Sequence, residues 1–202
     1  MTVKQFLLSA IIVSVFASCS AQKNSVMQQV DALGTDQTIE DSVIRRLRDN
    51  NDLVIAYAVE NFAWVRSISY LIIAKKNDEW MGYQYHVNLM RNQPQASVPG
   101  NINPAEVNKA SCDSLLQYIT QTKAWNIKGD SGQNFCPDGN NGCNINDAPG
   151  ARLWIITQKG LVNPSYYAPQ FFEECCPDKD RALFLSVTKK IQDIVAVQGI
   201  SK

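Results

Sequence analysis

The segment that most restricts what this chain can become is SISYLIIAKKNDEWMGYQYHVN, Ser67 to Asn88. Its first half is rich in β-branched and aromatic residues. In its second half Met81, Tyr83, Tyr85 and Val87 recur at every second position, the spacing that puts side chains on one face of a strand. Trp80, Gly82, Gln84 and His86 fall on the opposite face. Asn77-Asp78 between the halves suits a tight turn, so Ile68 to Val87 reads as a β-hairpin. The segment DLVIAYAVE, in which Leu53, Ile55, Tyr57 and Val59 alternate with smaller residues, reads as a neighbouring strand, with a helix as the alternative; ARLWIIT reads as a buried strand.

Helices are expected at three places. Thr38 as N-cap with Asp41 at N3 resembles a capping box, and Ile39, Val43 and Leu47 then share a face up to about Arg48, with Asn50-Asn51 as the stop. Asn103-Pro104-Ala105-Glu106 has the composition of a helix start, leading to a helix that ends near Thr122 with Leu115, Leu116 and Ile119 on its apolar side. Leu183, Phe184, Val187, Ile191, Ile194 and Val195 keep helical spacing, with Asp178 or Asp180 to cap the start and Gly199 at the C′ position. The order α-β-β-β-α-β-α predicts an α+β fold with a mainly antiparallel sheet of about four strands packed by two or three helices.

The N-terminus carries a different message. Lys4 precedes the apolar run Phe6–Ala17, which is too short for a bilayer core that needs ~20 residues but has the pattern of an export signal. The run ends at Phe16-Ala17-Ser18-Cys19, which resembles the lipobox of bacterial lipoproteins, with Phe16 where leucine is usual and Ser18 before the cysteine. The resemblance covers about the first 20 residues. It implies cleavage after residue 18, acylation of Cys19 by diacylglycerol and fatty acid such as palmitate, and attachment to the bilayer; Ser20, in place of an aspartate retention signal, implies the outer membrane. Several acyl chains on one residue hold where a single chain holds only marginally. The expected organisation is a signal peptide over 1–18, a polar tether over 19–36 in which Val26, Met27 and Val30 form a helical turn or two, and one globular domain over 37–202.

Export makes disulfides permissible. Cys136 and Cys143 flank six residues, two of them glycine, and the spacing predicts a Cys136–Cys143 bridge. For the adjacent Cys175 and Cys176 the expectation is that one bonds Cys112; the sharper alternative is a thiol nucleophile or redox pair, although the pair lacks the usual C-x-x-C spacing. Asp138, Asn140, Asn144 and Asp147 offer oxygen donors, but their spacing departs from a calcium loop.

Positive and negative side chains balance at 19 each, leaving no basic surface for nucleic acid. No phosphate-binding loop, dinucleotide fingerprint, nucleophile elbow or zinc-protease motif is present, and no cofactor is implied. His86, the single histidine, reads as a surface residue, with a general base as the alternative. Tyr166, Tyr167, Phe171 and Phe172 lie in one proline-flanked connection and, with Trp80, Gln84 and His86, form the candidate binding surface. The functional expectation is an anchored envelope lipoprotein with a non-catalytic domain that binds an envelope protein or a small ligand. The alternative is an envelope enzyme, thiol-dependent or a hydrolase, using His86 or Cys175 and Cys176.

Overall fold

The computed structural model of the chain describes residues 26–34, 39, 41–61, 66–89, 102–130, 135–136 and 142–196. The hairpin forms at the expected place and sets the sheet. Strands β1 (Leu53–Asn61), β2 (Arg66–Lys76) and β3 (Glu79–Leu89) run as an antiparallel meander. Asn77 at the β2–β3 turn takes a left-handed φ of 55°, which asparagine tolerates better than most residues. Further strands are β4 (Ala105–Glu106), β5 (Gly150–Thr157), β6 (Leu161–Val162) and β7 (Ser165–Tyr167). The sheet is seven-stranded, in the order β4-β3-β2-β1-β5-β6, with β7 also paired to β5, and every pairing is antiparallel. The fold is thus α+β with an antiparallel sheet, but the sheet exceeds the expected four strands. The additions are the two- and three-residue strands β4, β6 and β7, too short to carry an alternating pattern.

Among the described residues five helices accompany it: α1 (residues 26–33), α2 (Ser42–Asn50), α3 (Lys109–Thr122), α4 (Pro169–Cys175) and α5 (Lys179–Ala196). They cover both faces of the sheet. On one face Leu53, Ile55, Tyr57, Ile73, Leu153 and Ile155 pack under α1, α3 and α5, with Leu115, Ile119, Phe184, Val187 and Ile191 fully or almost fully buried. On the other face Val54, Ala56, Ala58, Ile72 and Ile156 pack under Val43, Ile44 and Leu47 of α2. Double coverage explains why β1 is buried along six consecutive residues. The small Ala56 and Ala58 leave room for the large rings of Tyr70, Tyr85 and Trp154 on that face.

Two local expectations are corrected. Helix α2 begins at Ser42, not after Thr38, and Asp41 is its N-cap: Asp41 Oδ1 accepts from the backbone N–H groups of Val43 at 2.8 Å and Ile44 at 3.0 Å. Thr38 lies outside the described residues. The start signal at Asn103-Pro104 is bypassed, because Ala105 and Glu106 pair with Gly82 and Met81 as β4, and Asn108 caps α3 through the N–H of Ser111. The terminal helix begins as read, with Asp178 Oδ1 accepting from the N–H groups of Asp180 and Arg181; Gly199 lies outside the described residues. Among the described residues no helix is long and apolar enough to cross a membrane.

Residues 26–34, read as tether, are docked to the sheet. Val26 and Val30 are fully buried, the Thr157 hydroxyl donates to the Asp31 carboxylate, and Leu161 N–H donates to the Gly34 carbonyl at 3.3 Å. The contact depends on Gly160, where a Cβ would stand 1.8 Å from the Val30 carbonyl oxygen. Gly160→Ala is therefore expected to destabilise the protein by about 1–3 kcal/mol, the range for overpacking a tight contact. Denaturant unfolding of the variant measures this, and an unchanged midpoint would mean that α1 does not dock on this edge.

Candidate functional site

Among the described residues, the helices that cover the sheet leave one corner bare. In antiparallel register Val59, Ser69 and His86 form one transverse row, and Asn61, Ser67 and Asn88 form the next; Gln84 stands one row inward. All these side chains point to the face that carries α3 and α5 elsewhere. Asn61, Ser69, Gln84, His86 and Asn88 are exposed, and Ser67 is half-buried. The corner is built from amides, hydroxyls and one imidazole, with no charged side chain among the six.

His86 is held at both nitrogens. Its Nδ1 lies 2.9 Å from the Ser69 hydroxyl, its cross-strand partner, and its Nε2 lies 2.9 Å from Asn88 Oδ1, two residues along the strand. With Nε2 donating to the amide oxygen, the neutral ring accepts the Ser69 proton at Nδ1. Neither partner is a carboxylate or a thiol. Ser69 and His86 stand directly opposite each other in the β2–β3 register.

The rest of the expected surface is dispersed. Trp80 is buried near the opposite end of β3, where its Nε1 donates to Asp113 at 3.3 Å. Tyr166 is buried against Phe184, with ring centroids 4.8 Å apart, and donates its hydroxyl to the Lys128 carbonyl. Tyr166 shares a transverse row with His86, but four strand-to-strand steps separate them, roughly 19 Å at the usual spacing. Phe172 is buried and Tyr167 and Phe171 are half-buried, all in a cluster with Phe135, Cys136 and Cys176. These aromatics stabilise a loop; Gln84 and His86 alone stay open at the corner.

That loop is stapled twice. Cys136 bonds Cys176 and Cys143 bonds Cys175, with Cα–Cα distances of 5.5 and 6.0 Å. The expected Cys136–Cys143 bridge is corrected: each cysteine is bonded, but to the adjacent pair after α4. Cys112 bonds neither member of that pair. It is free and buried, and burial, with Asp113 adding to it, pushes its thiol up to about 12, which keeps it protonated and unreactive at neutral pH. Cys175 and Cys176 are both bonded, so neither carries a thiol in this oxidised form. Three of the bonded sulfurs, Cys136, Cys143 and Cys176, lie within 4.8 Å of one another. Of the calcium-loop candidates, Asn144 and Asp147 are exposed, and Asp138 and Asn140 lie outside the described residues.

Two buried polar groupings escaped sequence reasoning. Asp41, besides capping α2, accepts from the Tyr70 hydroxyl and from the Tyr85 hydroxyl at 3.4 Å, and the two phenol rings stack 4.3 Å apart. Arg181 is 2 % exposed and donates to the carbonyls of Cys176 and Phe135. Neither is signalled by a motif, because both depend on pairing between distant segments. Open clefts of about 530 Å³ each lie between α2 and β3, around Arg46, Lys76, Glu79 and Tyr83, and between α3 and α5, around Ser111, Lys190 and Asp193. The sequence matches no known protein family and no curated protein.

The stacked tyrosines set an alkaline limit. Burial, then the negative Asp41, raises the ionisation of Tyr70 and Tyr85 far above the usual value of 10.0. A folded-state value above the unfolded one gives stability that is complete below the unfolded value and declines as pH rises beyond it. Unfolding free energy should therefore fall above about pH 10. Tyr70→Phe should make that fall shallower by about one proton per chain, as read from urea midpoints across the alkaline range. An identical slope in Tyr70→Phe would show that this phenol ionises freely in the folded protein.

Proposed function

We propose that this chain is a cell-envelope lipoprotein, attached to the bilayer through acylated Cys19 at the outer membrane, whose folded part is a non-catalytic module that binds an envelope protein or small ligand. The lipobox-like leader supports the attachment, and two disulfides suit an oxidising compartment. The observation that carries the binding role is the bare polar corner, where Ser69, Gln84, His86 and Asn88 present neutral donors and acceptors on a rigid three-stranded frame. Such groups match ligands rich in hydroxyls or amides, such as neutral glycans and peptide backbones.

Two measurements test the reading. Amide chemical shifts of the folded chain, titrated with neutral oligosaccharides and short uncharged peptides, should move at Ser69, Gln84, His86 and Asn88. The effect should vanish in His86→Ala, whose stability should stay within about 0.5 kcal/mol of the parent because the side chain is on the surface. Shifts confined to the α2–β3 cleft would move the site there. For the anchor, the N-terminal peptide of the mature protein should begin at an acylated Cys19, and Cys19→Ser should leave the membrane fraction.

One observation favours a second reading. Ser69, His86 and Asn88 form a hydroxyl–imidazole–amide chain with the nucleophile, base and orienting group of a hydrolase in hydrogen-bond reach. In that reading His86 is the general base and Ser69 the nucleophile. A fluorophosphonate probe would then label Ser69 in the parent but not in His86→Ala, whereas a pure binding surface stays unlabelled.

A further inference from the structure

Sulfur is gathered more tightly in this protein than two structural staples require. The bridges join Cys136 and Cys143, from one segment, to the neighbouring Cys176 and Cys175, and Cys143 Sγ lies within 4.8 Å of both sulfurs of the other bridge. Their exposures differ. Cys175 is exposed and Cys143 half-buried, whereas Cys136 and Cys176 are 7 and 8 % exposed. A reductant in solution therefore meets the Cys143–Cys175 bridge first.

The charge beside the inner bridge gives exchange between the two bridges a direction. Arg181, almost wholly buried, lies against Cys176: its Nη1 donates to the Cys176 carbonyl at 3.1 Å and lies 4.0 Å from Cys176 Sγ. Its Nε has no hydrogen-bond partner, and among the described residues no carboxylate stands within ion-pair distance of it. Asp130 feels its charge without forming an ion pair, and a buried cation lacking a directly paired counter-ion is costly. A negative sulfur at Cys176 would supply one, and thiol–disulfide exchange runs fastest when the departing sulfur is the better stabilised thiolate.

We propose that the four cysteines form one coupled redox site in which reduction of the outer bridge is passed inward to expose a vicinal Cys175–Cys176 dithiol. In the first step a dithiol reductant gives two electrons and two protons to Cys143–Cys175 and is itself oxidised to a disulfide. In the second, Cys143, having lost its proton to solvent, attacks Cys136 Sγ. The Cys136–Cys176 bond breaks, a Cys136–Cys143 bond forms, and Cys176 leaves as a thiolate facing Arg181, then takes up a proton from solvent. No further electrons are needed, because the second step only exchanges partners. The product carries the bridge that the Cys136/Cys143 spacing favours and two adjacent thiols, a pair that takes thiophilic ligands and can pass its electrons to another disulfide. The site stands on the cysteine and arginine geometry, independently of the lipid anchor and of the polar corner.

Limited reduction of the full chain with dithiothreitol, quenched in acid and alkylated, reads the outcome by peptide mapping. The two-thiol species should carry label on Cys175 and Cys176, and should bind one phenylarsine oxide per chain. Label on Cys143 and Cys175 would show that the outer bridge opens without exchange and would overturn the proposal, as would simultaneous reduction of all four cysteines at every level of reductant. A double variant, Cys143→Ser with Cys175→Ser, keeps the inner bridge while removing the attacking sulfur. Checked first for native near-ultraviolet dichroism, it should leave Cys176 unlabelled at reductant levels that label it in the parent; equal labelling would mean that the inner bridge opens unaided.

Discussion

The structure rests on the burial of β1 from both sides. A strand with one face open to water alternates apolar and polar residues, but LVIAYA is buried without a break, as strands are when helices cover both faces. The row Ile55–Ile73–Ile155 anchors one side and the row through Ala56, Ile72 and Trp154 the other. Each fully buried aliphatic side chain contributes about 1.5–3 kcal/mol, so the centre of the sheet is where most of the stabilisation collects. It weakens toward the Asn61 end, where helices no longer overlie the strands, and that decline is why a polar corner can persist there.

Much of this frame was legible because period-two alternation and turn chemistry are local. The β2–β3 register, the turn at Asn77, the assignment of Trp80, Gln84 and His86 to one face and the terminal helix all derive from neighbours in the chain. What was not legible depends on partners far away. Ala105 and Glu106 pair as a strand because Met81 and Gly82 present a free edge, which overrides the helix-start signal before them. Leu161–Val162 and Ser165–Tyr167 are strands only because β5 accepts them. Cysteine spacing cannot specify connectivity: Cys136 and Cys143 sit close enough to bond each other, yet the segment after α4 meets both.

The candidate site was half visible for the same reason. Alternation placed His86 opposite the tyrosines but could not say how far along that face α3 and α5 extend. Coverage buries Trp80 at one end of β3 and spares His86 at the other. Ser69 and Asn88 had no signal of their own: serine and asparagine are common on strand surfaces, and only register makes Ser69 the cross-strand partner of His86. The aromatic connection misled in the other direction. Its rings are large enough to serve as ligand platforms, but Tyr166 and Phe172 fill space beneath α5 and beside the bridges.

Helix α1 bears on how the molecule would sit at a surface. Val26 is already immobilised in the interior, so only six residues, spanned by seven backbone steps, separate it from Cys19. Even at full stretch they reach no more than about 25 Å. A lipid at Cys19, as proposed, would therefore be a short leash: the body would hover within its own radius of the headgroups, with the α1 edge turned toward them and little freedom to wander.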